Sequence, residues 1–222
     1  MNNILVVAAH PDDELLGVGG TIKKYSNMNY NCYCVILGEG MTSREEQSDS
    51  VENLHKSAIS AANIIGFKKV YFENLPDNRF DSVDLLDVVK IVEKYIKLIK
   101  PSIMYTHHHG DVNIDHQITF NAVLTACRPI SPVIVRELYA FDTLSSTEWQ
   151  FKYGDKQFKP NVFVNIEDTM EDKIKAMKEY TTEVRKYPHP RSIEGIKIQA
   201  QKYGMISGNR FSEAFELIFN LK

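Results

Sequence analysis

The segment that most constrains this chain runs from Ile4 to Glu14, where an apolar stretch (Ile4-Leu-Val-Val-Ala-Ala9) stops at His10-Pro11-Asp12-Asp13-Glu14. A short run of aliphatic and β-branched residues bounded by a turn signal reads as a buried parallel strand. Pro11 supplies the turn, because its fixed φ and missing N–H end the ladder. Imidazole and carboxylates therefore crowd the C-terminal tip of a first strand, the edge at which open α/β sheets place their ligands. Three adjacent acids repel one another unless a cation or hydrogen bonds offset the charge. Two readings follow: a divalent metal site, or an acidic helix start favoured by the helix dipole.

The rest of the chain alternates between strand and helix patterns. Strands are expected at Asn31–Leu37, Lys69–Glu73, Ser102–Thr106, Val133–Tyr139, Val162–Ile166 and 211–219. Between them lie a helix opening at Arg44, with Val51, Leu54, Ala58, Ala61 and Ile65 at helical spacing, and helices over Ser82–Ile99 and Gln117–Cys127. An amphipathic helix over Asp168–Arg185 presents its charges as a solvated face, and Ser192 caps a helix reaching Ser207. This alternation predicts an α/β fold with a doubly wound, mostly parallel sheet, and no linker divides residues 1–222, so one domain is expected. The fourth strand runs into His107-His-His109-Gly-Asp111-Val-Asn113-Ile-Asp115-His116. In the commonest strand order the first and fourth strands are neighbours at the topological switch point, which brings the two His/Asp clusters to one crevice.

Several classes are disfavoured. The 26 basic and 29 acidic residues give a net charge of −3, so no global basic field points to nucleic acid. The apolar run at the N-terminus is too short for a signal h-region or a membrane span. Three cysteines (Cys32, Cys34 and Cys127) make neither a disulfide framework nor a metal cluster, which suits a reducing cytoplasm. Gly17-Val-Gly19-Gly20 lacks the dinucleotide spacing, and close packing of helix on sheet explains it better.

Two histidines and one carboxylate satisfy zinc and leave a position open for water. His10 and Asp13 share one tight turn and can hold one ion together, with His116 as the third ligand. Asp12 stays off the metal and takes a proton from bound water, whose pKa falls to about 7 on zinc. A His₂Asp set also suits iron or manganese. Asp77 and Arg79 are either turn residues or substrate contacts. For those of the three histidines at 107–109 that do not bind metal, an exposed run is a reading the sequence leaves open.

Ala9-His10-Pro11-Asp12-Asp13-Glu14, followed about a hundred residues later by Asp111-Val-Asn113-Ile-Asp115-His116, resembles the LmbE-like (PIG-L) zinc deacetylases over nearly the whole chain. The resemblance implies a three-layer α/β/α Rossmann-like fold and removal of acetyl groups from N-acetylglucosamine-type sugars, a small-molecule substrate. By it His10, Asp13 and His116 are the metal ligands, Asp12 is the general base, and Asp115 orients a histidine from outside the ligand set. It also implies homo-oligomers, although no stretch here marks an interface. Arg44 matches an arginine after the second strand in relatives and is a candidate for gripping substrate; a surface helix-start arginine is its other reading.

One position departs from the pattern. Many members carry a histidine three residues before the last ligand, and here that position is Asn113. An amide can donate a hydrogen bond to an oxyanion but cannot deliver a proton near neutral pH. His189, held between prolines in Tyr187-Pro-His189-Pro-Arg191-Ser192, is therefore expected to reach the site as the acid, with Arg191 nearby. The competing functions are hydrolysis of another amide or ester by the same loop, and a non-catalytic metal- or sugar-binding relative.

Overall fold

The computed structural model describes residues 3–40, 51–130, 132–151 and 154–222. Among them, seven strands form one sheet: β1 (Asn3–Ala8), β2 (Asn31–Gly38), β3 (Lys69–Leu75), β4 (Ile103–His107), β5 (Glu137–Phe141), β6 (Val162–Asn165) and β7 (Ser212–Asn220). The helices are α1 (Asp13–Asn27), α2 (Val51–Ile65), α3 (Leu85–Ile99), α4 (Ile114–Ala126), α5 (Met170–Met177) and α6 (Ile193–Ser207). The strand order is β3-β2-β1-β4-β5-β7-β6. Strands β1 to β5 pair in parallel, whereas β7 runs antiparallel to both β5 and β6. β1 and β4 are neighbours, with Ile4 opposite Ile103, so the switch point lies where the sequence placed it. The fold is Rossmann-like α/β.

Period-two alternation along β1 explains why its sequence is apolar throughout. Ile4 and Val6 enter a core with α1, α2, α5 and α6, while Leu5, Val7 and Ala9 enter a second core with α3 and α4. A strand covered on both faces has no solvent side to mark with polar residues. No helix among the described residues is long and apolar enough to cross a membrane.

Three spans differ from expectation. The helix expected from Ser82 begins at Leu85, because a 3-10 turn at Phe80–Ser82 first buries the Phe80 ring completely. The fifth strand is Glu137–Phe141 rather than Val133–Tyr139, its register set by pairing with β4 from Ile103 onward. The helix expected over Asp168–Arg185 ends at Met177, and turns then lead through two prolines to α6. Its charges are not all solvated: Lys173 is buried on Glu213 at 2.6 Å, and Glu183 is buried on Arg191 at 3.1 Å. Ser192 caps α6 as expected, accepting the Gly195 N–H at 2.9 Å. Arg44 lies outside the described residues.

The glycines of α1 divide by what surrounds them. A Cβ on Gly17 would lie 2.2 Å from the Phe141 ring, and one on Gly20 would lie 2.9 Å from Ile166. A Cβ on Gly19 would meet nothing closer than 3.6 Å, an ordinary contact. Gly17→Ala should therefore cost about 1–3 kcal/mol by overpacking, whereas Gly19→Ala should be neutral or stabilise by up to ~1 kcal/mol through the unfolded chain. Urea denaturation of the two variants checks this; equal losses would contradict the packing argument.

Candidate metal centre

β1 ends at Ala8, and the turn that follows delivers His10, Asp12 and Asp13 to the C-terminal edge of the sheet. From the neighbouring strand, the segment after His107 delivers Asp111, Asn113, Asp115 and His116 at the start of α4. One donor atom each from His10, Asp13 and His116 lies within 4.8 Å of the others, and the two imidazole centroids are 5.4 Å apart. The three ligands expected from the sequence are thus brought together.

Each donor is aimed by a second group. His10 Nε2–H donates to Asp115 Oδ2 at 2.9 Å, which leaves Nδ1 facing Asp13 Oδ2 at 3.4 Å. Asp115 is itself fixed by the Asn78 and Phe80 N–H groups at 2.7 and 2.9 Å. His116 Nδ1 lies 3.3 Å from Asp111 Oδ2, and its Nε2 lies 3.3 Å from Asp13 Oδ2. Asp111 in turn accepts from Asn113 N–H at 2.8 Å, Thr147 Oγ1–H at 2.5 Å and the Ser146 hydroxyl. A carboxylate behind each ligating imidazole is the arrangement that fixes its tautomer and raises its basicity.

His107 is a neutral wall. It accepts the Ala9 N–H on Nε2 at 2.9 Å, so its proton sits on Nδ1, 3.1 Å from Thr143 Oγ1. Burial, then the neighbouring His116, pushes its pKa well below the usual imidazole range. Its ring stacks on His116 at 3.9 Å. The exposed histidine run that the sequence left open is not found, since His107 and His108 are both completely buried.

The two adjacent acids have opposite environments. Burial raises Asp12 well above the carboxylate range, and the Arg191 guanidinium 3.1 Å away opposes that only in part. Burial also works to raise Asp13, but the imidazoles beside it, His116 first, prevail and hold it well below. Pairs of carboxylates driven apart in this way divide the roles of acid–base group and charged ligand. Asp12 takes a left-handed φ of 95° and makes no side-chain cap to α1, so its carboxylate is released to Arg191.

A divalent ion fits this set. Donor separations of 3.3 and 3.4 Å match the edge of a tetrahedron with bonds of about 2.0–2.1 Å. His116 Nε2 is buried with no aligned hydrogen-bond partner, as a nitrogen facing a cation site would be.

A cavity of about 310 Å³ opens over the centre, and Asp12, Asp77, Asn113 and Arg191 line it beside the ligands. Asp77 is buried in the turn after β3, with Oδ1 3.3 Å from His10 Nε2. Asn113 Oδ1 caps α4 by accepting Asp115 N–H at 2.8 Å, while its Nδ2 donates to Asn78 at 3.1 Å. His189 does not line the cavity: its Nδ1 accepts the Arg191 N–H at 3.1 Å, and its ring stands edge-on to Trp149. Sequence reasoning gave no role to Asp111, Glu14 or Glu183. The first two sit inside the quoted motifs, where their position was the available signal. Glu14 accepts from Tyr180 O–H at 2.7 Å and Asp12 N–H at 3.1 Å. Glu183 shares Arg191 with Asp12 and carries no local sequence signal.

Fold and centre together define an open α/β protein with a His₂Asp cluster at its switch point that could hold a metal ion. The chain belongs to the PIG-L (GlcNAc-PI de-N-acetylase) family, whose profile matches residues 5–127. An uncharacterized deacetylase of Escherichia coli is 28% identical over 183 residues, covering 80% of this chain and 89% of that one. A diacetylchitobiose deacetylase of Thermococcus kodakarensis is 25% identical over 98% of this chain and 84% of its own. A crystal structure of a conserved protein from Thermus thermophilus superposes with a TM-score of 0.81 at 20% identity, covering 100% of this chain and 97% of that one.

The carboxylates around His10 and His116 favour the protonated form of both imidazoles. Burial opposes this, yet Asp115 and Asp13 raise His10 to about 10, and Asp13 and Asp111 raise His116 to about 9. Raised values mean that both protons are held at pH 7 and must leave when the nitrogens ligate. Calorimetric zinc titrations at pH 7, run in buffers of unlike ionisation enthalpy, should show about two protons released at this centre per ion. Release of none would contradict the geometry.

Proposed function

We propose that this chain is a zinc-dependent amidohydrolase that removes the N-acetyl group from an N-acetylglucosamine-type amino sugar or its conjugate. The observation that carries the reading is the neighbourhood of Asp12: a carboxyl raised by burial, immediately beside the His10–Asp13–His116 donor set and on the wall of the same cavity. Relatives named as deacetylases, one of them for diacetylchitobiose, support the amide and the amino sugar as substrate class.

His10, Asp13 and His116 would hold the ion, with Asp115 hydrogen-bonded to the first ring and Asp111 lying beside the second. When bound, the ion supplies Lewis acidity that polarises the acetyl carbonyl and lowers the pKa of water. Asp12 takes the proton of the attacking water on its carboxylate and returns it to the departing amine nitrogen. One group serves both steps in turn, because the proton it gains from the water is still held beside the reacting carbon when the amine departs. Arg191 keeps the Asp12 carboxylate aimed into the cavity between these two events. Asp77, and Arg44 outside the described residues, are assigned to the sugar hydroxyls. Three buried free thiols support a reducing cytoplasm as the compartment.

Acetate release from a panel of N-acetylglucosamine derivatives tests the activity. Asp12→Asn should lower turnover by roughly 10²–10⁴-fold while metal content is kept, and His189→Ala should change it little. Zinc-loaded protein that releases a different acyl group would overturn the substrate class. Asp12→Asn with undiminished turnover would overturn the role of Asp12.

A further inference from the structure

Of the three histidines at 107–109, His107 is used by the metal centre and the other two are not. His108 and His109 stand edge to face with ring centroids 4.4 Å apart, and Glu216 reaches them from β7. One donor atom from each of the three lies within 4.8 Å of the others.

We propose that His108, His109 and Glu216 form a second binding site for a divalent transition metal, independent of the centre at His10, Asp13 and His116. The strongest support is how the remaining atoms of these side chains are used. His108 Nε2 bonds the Lys156 carbonyl at 3.0 Å and His109 Nε2 bonds the Asp155 carbonyl at 2.9 Å. Glu216 Oε1 accepts the Lys159 N–H at 2.5 Å. Each imidazole thus donates its outer N–H to a backbone carbonyl, and the carboxylate is anchored through one oxygen. That is the supporting shell that orients ligands around a metal. The atoms left for coordination are Nδ1 of each ring and Oε2 of Glu216, the last already 2.8 Å from His108 Nδ1.

The backbone is shaped to allow this. A Cβ at Gly110 would lie 2.1 Å from the Lys156 carbonyl oxygen and 2.6 Å from His108 Nε2. Only glycine lets the segment bearing residues 155–159 close over the histidine pair. His108 is itself held from behind, its N–H donating to the Phe141 carbonyl of β5 at 2.9 Å.

The donor chemistry selects the ion class. Two imidazoles and one carboxylate suit zinc, cobalt or nickel and not calcium or magnesium, which take oxygen ligands. Three protein donors leave the fourth position to solvent. The ion replaces the proton that His108 Nδ1 shares with Glu216, so binding releases that proton and clamps the 155–159 segment to β7. The site stands apart from the deacetylase reading, since none of its residues enters that mechanism.

Metal stoichiometry of the full-length protein tests it. Chelator-stripped protein is titrated with zinc, desalted, and its bound metal measured by plasma mass spectrometry. Wild type should hold two ions per chain, and His109→Ala and Glu216→Gln should each hold one. His109 is only partly buried and Glu216→Gln keeps the side-chain shape, so neither variant threatens the fold. Asp13→Asn should lose the other ion and keep this one, which separates failure of this site from failure of the catalytic centre. A wild-type maximum of one ion, two ions retained in both His109→Ala and Glu216→Gln, or loss of both ions in Asp13→Asn would overturn the proposal.

Discussion

The structure depends on one crossing: acids and imidazoles from the tip of β1 meet acids and imidazoles from the loop after β4, almost out of reach of solvent. Asp13, Asp111, Asp115 and His116 are all at most 4% exposed. Charges so desolvated are costly unless each is paired and hydrogen-bonded. Here the pairing alternates across the switch point: His10 with Asp115, Asp13 with His116, and His116 with Asp111. Neither loop could bury its own acids alone. The neighbouring placement of β1 and β4 is therefore an electrostatic requirement of the site as well as a packing outcome of the sheet.

That requirement reaches back into the fold. α1 must start immediately after Asp12, so it lies close on the sheet, and Gly17 and Gly20 provide the clearance against Phe141 and Ile166. The backbone at Asp12 is strained, with a left-handed φ of 95°, a conformation that costs a non-glycine residue about 1–3 kcal/mol. In exchange its carboxylate leaves the helix end and meets Arg191, which the turns after α5 bring in with Glu183. Strain, an abandoned cap and a half-buried guanidinium all converge on one carboxyl, which is the mark of a group kept for chemistry rather than for stability.

Much of this was legible in the sequence because it rests on local signals. The apolar run into His10-Pro11-Asp12-Asp13 fixed a strand, a turn and three acids within a few residues, and strand–helix alternation implied the neighbour of β1. Ser192 was legible as a cap for the same reason. What escaped depends on partners distant in the chain. Lys173 and Glu183 look like solvated charges until Glu213 and Arg191 come to meet them. The role of His108 is open in the sequence, and its burial follows only when Glu216 and the Lys156 carbonyl enclose it. The segment around His189 folds against Trp149, a contact between residues far apart in the chain that no spacing rule encodes. Asn113 was legible as a departure from the family pattern, but its use as the α4 cap emerged only with the backbone.

The central claim is that His10, Asp13 and His116 hold one ion beside Asp12. Anomalous diffraction at the zinc edge from zinc-soaked crystals tests it most directly. The account predicts a peak bounded by His10 Nδ1, Asp13 Oδ2 and His116 Nε2 at about 2.0–2.2 Å from each. Fully loaded crystals with no peak between these three side chains, or with one ligated by Asp12 in place of Asp13, would contradict it.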